Sequence, residues 1–314
     1  MFQRAEIEGA MLHNFGSINL DHVYRVPHLV HPGETLASHT YQVGLGGKGA
    51  NQSLAMALAG GRVSHWGRLG RQDAWARDRL ADAGVNVTHI ALVDEPSGHA
   101  IIQVDDHGEN AIILFPGANH GFAPSQLATL VASSQPGEWL LAQNECNALP
   151  ALFASAREHG LNIAFNPAPM PEDVARLPLE TCQLLFVNRV EAADLVGLPE
   201  SSDAQALLSG LRQRLPDTET VLTLGGAGAW YQSGEEQCYQ PALPVKPVDT
   251  TAAGDTFIGY FMAARQEGKT VAGCLELAAH AAALCVQQSG AAESIPRRAD
   301  VDHALSQFNA APSS

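Results

Sequence analysis

Short apolar runs separated by helix-length segments pattern the second half of this chain. Trp139-Leu-Leu-Ala142, Leu161-Asn-Ile-Ala-Phe165, Leu184-Leu-Phe-Val187 and Val221-Leu-Thr-Leu224 have strand length. Their alternation with helical segments predicts an α/β fold, a mostly parallel sheet flanked by helices. Polar residues stand at or near the carboxyl end of each run: Gln143, Asn144 and Glu145, then Asn166, then Asn188, then Thr223 and Gly225. Ligands bind outside this edge of an open α/β sheet, so successive polar endings point to one cleft. The first third is patterned differently. His22-Val-Tyr-Arg-Val26, Ser38-His-Thr-Tyr-Gln-Val43, His99-Ala-Ile-Ile-Gln-Val104 and Ala111-Ile-Ile-Leu-Phe115 predict a small appended β-sheet, with a hairpin around Asp105-Asp-His-Gly108. Ala310 to Ser314 is expected to fray.

Two glycine-rich segments carry the candidate chemistry. Asp249-Thr-Thr-Ala-Ala-Gly-Asp-Thr-Phe257 leads into a helix-like stretch to Ala264. Ala252, Ala253 and Gly254 leave the backbone bare, so their N–H groups can converge on an anion at the positive end of that helix. Asp255 then stands beside the anion, where taking a proton from an attacking hydroxyl is its natural work. Alone, D-x-x-x-x-G-D also describes an ordinary first-turn Asp. The second segment, Val43 to Gly61, is a glycine loop running into a helix with apolar positions Ala50, Leu54, Ala57 and Leu58 and ending at Gly60-Gly61. It fits neither a P-loop nor a dinucleotide fingerprint. Gly46-Gly-Lys-Gly-Ala-Asn51 sets a cation and an amide beside bare backbone, which suits a polyhydroxylated ligand or its phosphate.

Together the segments resemble the two signatures of the ribokinase-like (PfkB) carbohydrate kinases. The likeness continues through Gly16-Ser-Ile-Asn-Leu-Asp-His22, Pro32-Gly-Glu-Thr35, Ser97-Gly-His-Ala100, Gly117-Ala-Asn119, Asn166-Pro-Ala-Pro169, Asn188-Arg-Val-Glu191 and Thr223-Leu-Gly225, covering nearly all of Gly16 to Pro296. It implies one kinase domain over 1–314, its small sheet forming a lid from about 20–45 and 97–117. It also implies ATP-dependent phosphorylation of D-ribose to D-ribose 5-phosphate. A kinase for another furanose or a nucleoside, or a binding module without catalysis, stands as the alternative.

The resemblance further implies residue roles. Asn19, Asp21, Gly46, Gly47, Lys48, Asn51 and Glu145 would hold the sugar, with Asp255 as general base and Ala252 to Gly254 as anion hole. Asn188, Thr223, Gly225, Gly226, Gly228 and Gly254 would contact the nucleotide, although the glycines also read as a hairpin turn. Glu191 is associated with Mg²⁺, or simply favours a helix start. Asp249, Thr251, Cys285, Gln288, Gly290 and Ser294 fall at the places of a K⁺ site. There K⁺ would neutralise Asp249, unless an amide or an Arg does so. Two positions depart from the usual second signature: Ala252 stands where Gly is commoner, and Ile258, expected near the nucleotide, where Asn is commoner.

Composition narrows the remaining classes. The chain has 314 residues, 46% hydrophobic and 16% charged, enough to bury a full core. Its net charge of -15 argues against nucleic acid and leaves a nucleotide to be held by local amides, Lys and metal. Cys146, Cys182, Cys238, Cys274 and Cys285 show no metal or redox spacing. Met1 to Leu20 contains Arg4, Glu6 and Glu8 without an apolar targeting core, and Val271 to Val286 is interrupted by Glu276 and His280. A cytoplasmic location without a membrane role is therefore expected, with a homodimer formed through the lid.

Overall fold

The computed structural model describes residues 10–170 and 177–310. Residues 311–314 of the tail expected to fray, and residues 1–9 of the stretch Met1 to Leu20, lie outside these residues. In chain order the strands are β1 (Leu12–Phe15), β2 (Asn19–Arg25), β3 (Thr40–Gly46), β4 (Val63–Gly70), β5 (Ile90–Val93), β6 (Gly98–Val104) and β7 (Asn110–Phe115). They continue with β8 (Trp139–Gln143), β9 (Asn162–Asn166), β10 (Leu184–Asn188), β11 (Glu219–Thr223), β12 (Ala229–Ser233) and β13 (Glu236–Gln240). The helices are α1 (Lys48–Leu58), α2 (Ala74–Asp82), α3 (Pro124–Ala132), α4 (Leu149–His159), α5 (Arg189–Val196), α6 (Ala204–Arg214), α7 (Ala253–Gln266), α8 (Val271–Cys285) and α9 (Arg298–Ala310).

Nine strands form the main sheet in the order β13-β12-β11-β10-β9-β8-β1-β4-β5, parallel from β11 to β5. At the β13 edge, β12 runs antiparallel to both of its neighbours. The chain leaves β1 for β4 on one side and later reaches β8 on the other, which makes β1 a switch point where a crevice opens at the carboxyl edge. The alternation of side chains divides the core by face. Leu141, Ala164, Leu184, Phe186 and Val221 pack with α1, α7 and α8, while Leu140, Ile163, Phe165, Leu185, Val187 and Leu222 pack beneath α3 to α6. Strands buried on both faces read as continuous apolar runs, which is why these were legible in the sequence.

The small sheet has the order β3-β2-β6-β7, with β2 and β6 parallel and the outer pairs antiparallel. Its β6–β7 hairpin turns at Asp105 to Gly108, where the Asp105 Oδ1 accepts the N–H groups of His107 and Glu109. Helices α1 and α7 cross with their backbones almost touching. A Cβ on Gly259 would stand 2.5 Å from Ala55 Cβ and 2.8 Å from Gln52 O, so no larger residue fits at this crossing. Consequently the amino ends of α1 and α7, which carry both glycine-rich segments, are held at a fixed separation.

Candidate active site

The site is built where these two helix starts meet the carboxyl edge of the main sheet. Strand β3 passes through Gly47 directly into α1, setting Lys48, Asn51 and Gln52 on its first turns. Helix α7 starts from Ala252, which adopts a left-handed conformation at φ 60° and ψ 3°. No side chain caps α7, so its first N–H groups face the cleft at the positive end of the helix. The Ala253 N–H turns partly to Thr250 O at 3.3 Å, which leaves Ala252 and Gly254 as the more available donors.

A cavity of about 460 Å³ opens here. It is lined by Asn19, Asp21, Gly47, Lys48, Asn51 and Glu145 on one side, and by Asn188, Glu191, Thr251, Ala252, Gly254 and Asp255 on the other. Ala100, Ile102, Ile112 and Leu114 of the small sheet also line it. A second cavity of about 340 Å³ adjoins, lined by Gly225, Gly226 and Gly228, by Leu243, Val245 and Pro247, and by Phe257, Ala279, Ala282, Ala283 and Val286. Thr223, Thr250 and Gly254 belong to both. The first chamber is polar enough for a hydroxylated ligand, the second apolar enough for a flat base.

Asp255 is buried and held as a hydrogen-bond acceptor: Asn51 Nδ2 donates to its Oδ2 at 3.1 Å and Gln52 Nε2 to its Oδ1 at 2.9 Å. Asn51 Oδ1 is buried with no hydrogen-bond partner, so it is free to accept a ligand hydroxyl. The charge of Asp255 raises the Lys48 ammonium above its ordinary range against the opposing effect of burial, and Glu145 and Glu191 add to the rise. Lys48 thus stays charged. Glu145 is fixed by the Ser17 hydroxyl and by the Lys48 N–H at 2.9 Å. Burial, followed by the charges of Glu145 and Glu293, pushes Asp21 up to about 7. Asn19 Oδ1 accepts from Asn119 Nδ2 at 2.7 Å, which leaves its own amide N–H groups for a ligand.

These features coincide with a family. A profile of the pfkB family carbohydrate kinases matches residues 10–298. The chain belongs to that family. Among the PfkB relatives, ribokinase of Haemophilus influenzae is 34% identical over 289 residues, covering 90% of this chain and 94% of the relative. Ribokinase of Schizosaccharomyces pombe is 36% identical over 312 residues, covering 91% and 95%. A bifunctional ribokinase/ribose-5-phosphate isomerase A of Fructilactobacillus sanfranciscensis is 34% identical, and there the match covers 93% of this chain but 55% of the longer relative. Arabidopsis thaliana ribokinase complexed with ribose and ATP superposes with a TM-score of 0.83 at 29% identity, covering 94% of this PfkB kinase and 98% of that chain.

Most of the residues singled out from the sequence converge, and the exceptions have local causes. Asn19 and Asp21 follow shortly after the first strand and lie on β2, where the chain re-enters an extended conformation after Gly16-Ser17-Ile18. Gly46 does not line the cavity. It backs Asp21, whose Oδ2 would be 2.1 Å from a Cβ there. Gly225, Gly226 and Gly228 fill both sequence readings, forming the turn between β11 and β12 and lining the apolar chamber. Ile258, on the second turn of α7, lines the polar chamber together with Asp21 and Asn51 and does not line the apolar one. Asn144 turns away to donate to Pro169 O at 2.7 Å.

Glu191 closes a capping box with Asn188, accepting from its backbone N–H at 2.9 Å and its Nδ2 at 2.8 Å, while burial raises its pKa. Asp249 is not left unpaired. Its Oδ1 accepts from Thr251 N and Oγ1 at 2.9 and 2.6 Å, and its Oδ2 from Gly290 N at 3.0 Å. Burial raises Asp249, but these hydrogen bonds together with Arg25 bring it below the usual carboxylate range. Cys285 Sγ lies 3.1 Å from Ser294 Oγ. Among the described residues, His28, His31 and Glu34 form a cluster with metal-ligand spacing on the loop after β2, and none of the three lines either chamber. No helix among the described residues is long and apolar enough to cross a membrane.

The sequence reading missed the apolar wall of the second chamber. Its signal was the small-residue face Ala279, Ala282 and Ala283 of α8, which in sequence looks like ordinary helix packing. It also missed Gln52 and Glu293, whose neighbours in space are remote in the chain.

Proposed function

We propose that this PfkB kinase transfers the γ-phosphoryl group of ATP to the primary hydroxyl of D-ribose, giving D-ribose 5-phosphate and ADP. The observation that carries the reading is the meeting of a polar and an apolar chamber at Gly254, one residue before Asp255 at the uncapped start of α7. The sugar would occupy the polar chamber, its hydroxyls donating to Asp21, Glu145 and Asn51 Oδ1 and accepting from Lys48 and the Asn19 amide. The adenine would lie against Val245, Ala279 and Ala283. Asp255 takes the proton of the attacking hydroxyl as its oxygen bonds to phosphorus and the bond to the ADP oxygen breaks. The N–H groups of Ala252 and Gly254 would stabilise charge on the transferring phosphoryl. The aliphatic residues of the small sheet, read as a lid over 20–45 and 97–117 of a single kinase domain, would exclude water.

Two ions fit the residues present. Mg²⁺ carried by ATP would neutralise phosphate charge beside Glu191, whose oxygens are already engaged by Asn188, so contact through water is the arrangement favoured. K⁺ would sit behind the anion hole among the backbone carbonyls near Cys285, Gln288 and Gly290, with Asp249, Thr251 and Ser294 closing the site, and would steady the turn leading into Ala252. The test is Asp255→Asn. Ribose and ATP binding should persist, while kcat falls by roughly 10²–10⁴ in an assay of ADP release. Near-normal turnover by the folded variant removes Asp255 from the role, and comparing ribose with deoxyribose, fructose and nucleosides in that assay fixes the sugar.

A further inference from the structure

Asp255 is the end of a buried hydrogen-bonded chain whose other members touch neither proposed substrate. Gln52, Gln143, Asn14, Ser53 and His65 are each 0% exposed and come from α1, β8, β1 and β4. Buried polar side chains destabilise a core unless they are paired, and these pair in a single donor–acceptor arrangement that runs outward from Gln143, whose Oε1 alone among the linking atoms has no partner. Burial pushes the His65 imidazole down to about 4, so it is neutral. Its Nε2 reaches Gly16 O at 3.1 Å, and a carbonyl can only accept, so Nδ1 accepts the Ser53 hydroxyl at 2.8 Å. Asn14 Nδ2 donates to Ser53 Oγ at 2.7 Å and to Gly49 O at 2.8 Å, which turns Asn14 Oδ1 toward Gln143. Gln143 Nε2 donates both to Asn14 Oδ1 at 2.9 Å and to Gln52 Oε1 at 2.7 Å. With its oxygen so held, Gln52 presents Nε2 to Asp255 Oδ1 at 2.9 Å and to Asn166 Oδ1 at 3.4 Å. A reversed Gln52 amide would set oxygen against carboxylate at one end and NH₂ against NH₂ at the other.

We propose that Gln52, oriented by Gln143, is a positioning residue for the general base, fixing the Asp255 carboxylate so that its remaining lone pairs face the attacking hydroxyl. The inference rests on reading Asp255 as the base. The Gln52 and Asn51 amides do not titrate; the titratable groups that act on Asp255 are Lys48 from α1, Glu191 from α5 and Cys285 from α8, and all three stay in place in the variants that test it.

The experiment compares Gln52→Leu, Gln143→Leu, the double variant and Asp255→Asn by kcat, KM, the pH profile of kcat and thermal melting. Losing a donor to a charged acceptor should lower kcat of Gln52→Leu about 10- to 100-fold and move the acid limb of the profile up by about one pH unit, with both KM values nearly unchanged. Gln143→Leu should move the limb in the same direction although it touches neither carboxylate nor cleft. The double variant should be no worse than Gln52→Leu alone, because both act through one hydrogen bond. Gln143→Leu carries the test by itself if Gln52→Leu does not fold. A wild-type acid limb with lower melting temperatures and additive losses would reduce the chain to a packing role, leaving the general base intact if Asp255→Asn is inactive. Full turnover by Asp255→Asn would overturn both.

Discussion

Replacing Asp21 with Asn should make the ligand-free protein increasingly more stable than the parent as the pH rises and, on the proposed role of Asp21, should weaken sugar binding. In the folded chain burial, followed by the charges of Glu145 and Glu293, pushes Asp21 from 3.8 up to about 7. The unfolded chain has no such environment, so it releases this proton near the ordinary carboxylate value. Below that value both states are protonated and the stabilising contribution of the folded-state proton is complete. As pH climbs toward 7 the unfolded state ionises first, and folding loses up to about 1.4 kcal/mol per pH unit. The shift of roughly three units sets the total at about 4 kcal/mol at most, since an open cleft admits screening water. Asn removes the titration, so the stability advantage of Asp21→Asn over the parent should grow by roughly 2–3 kcal/mol between pH 5 and pH 8. Urea unfolding at several pH values measures that difference. Bound ribose should act in the opposite direction, because its hydroxyls stabilise the carboxylate, so calorimetry near pH 6 in buffers of different ionisation enthalpy should detect proton release on binding. A stability difference that is flat with pH, or binding without proton release, refutes the reasoning.

The remaining predictions concern the anion-hole turn and the small sheet. Ala252→Gly should stabilise the fold by up to about 1 kcal/mol in thermal melts and retain activity, because Ala252 sits at φ 60°, where a Cβ is unfavourable; a less stable variant would show that the turn is unstrained. Replacing Na⁺ by K⁺ at constant ionic strength should raise kcat, and Asp249→Asn should weaken that response. Equal rates in the two salts, which is what screening alone gives, would dismiss the cation site. The protein should sediment as a dimer at micromolar concentration, since among the described residues β3 and β7 leave both edges of the small sheet unpaired and Tyr41, Val43, Ile113 and Phe115 are exposed on its strands; a monomer counts against assembly through this sheet.

What could be read from the sequence follows from how far apart the interacting residues lie. Strands β8 to β11 bury both faces with apolar side chains, so composition alone exposes them, and their polar endings Asn166, Asn188 and Thr223 do meet in the cleft. Strand β4, Val-Ser-His-Trp-Gly-Arg-Leu-Gly, is buried throughout yet reads as polar. Its Arg68 is satisfied by Ala118 O at 3.2 Å and its His65 by Ser53, partners that no local window contains. Gln143 shows the same limit in another form: it was legible as the polar end of a strand, but not as a buried donor linking Asn14 to Gln52. Helix starts were easier, because the glycines and alanines that bare the backbone are contiguous in sequence.

The two chambers have just Thr223, Thr250 and Gly254 in common, and this separates two histories of change. Enlarging Ala279 or Ala283 on α8 would narrow the room for a base without approaching Asp21 or Lys48. Altering Ile102 or Leu114 on the small sheet would reshape the sugar side without approaching α8. With the sugar in the polar chamber and the nucleotide in the apolar one, as proposed above, preference for the phosphoryl donor and preference for its acceptor could drift independently across descendants of one scaffold, provided the short turn between them keeps its backbone.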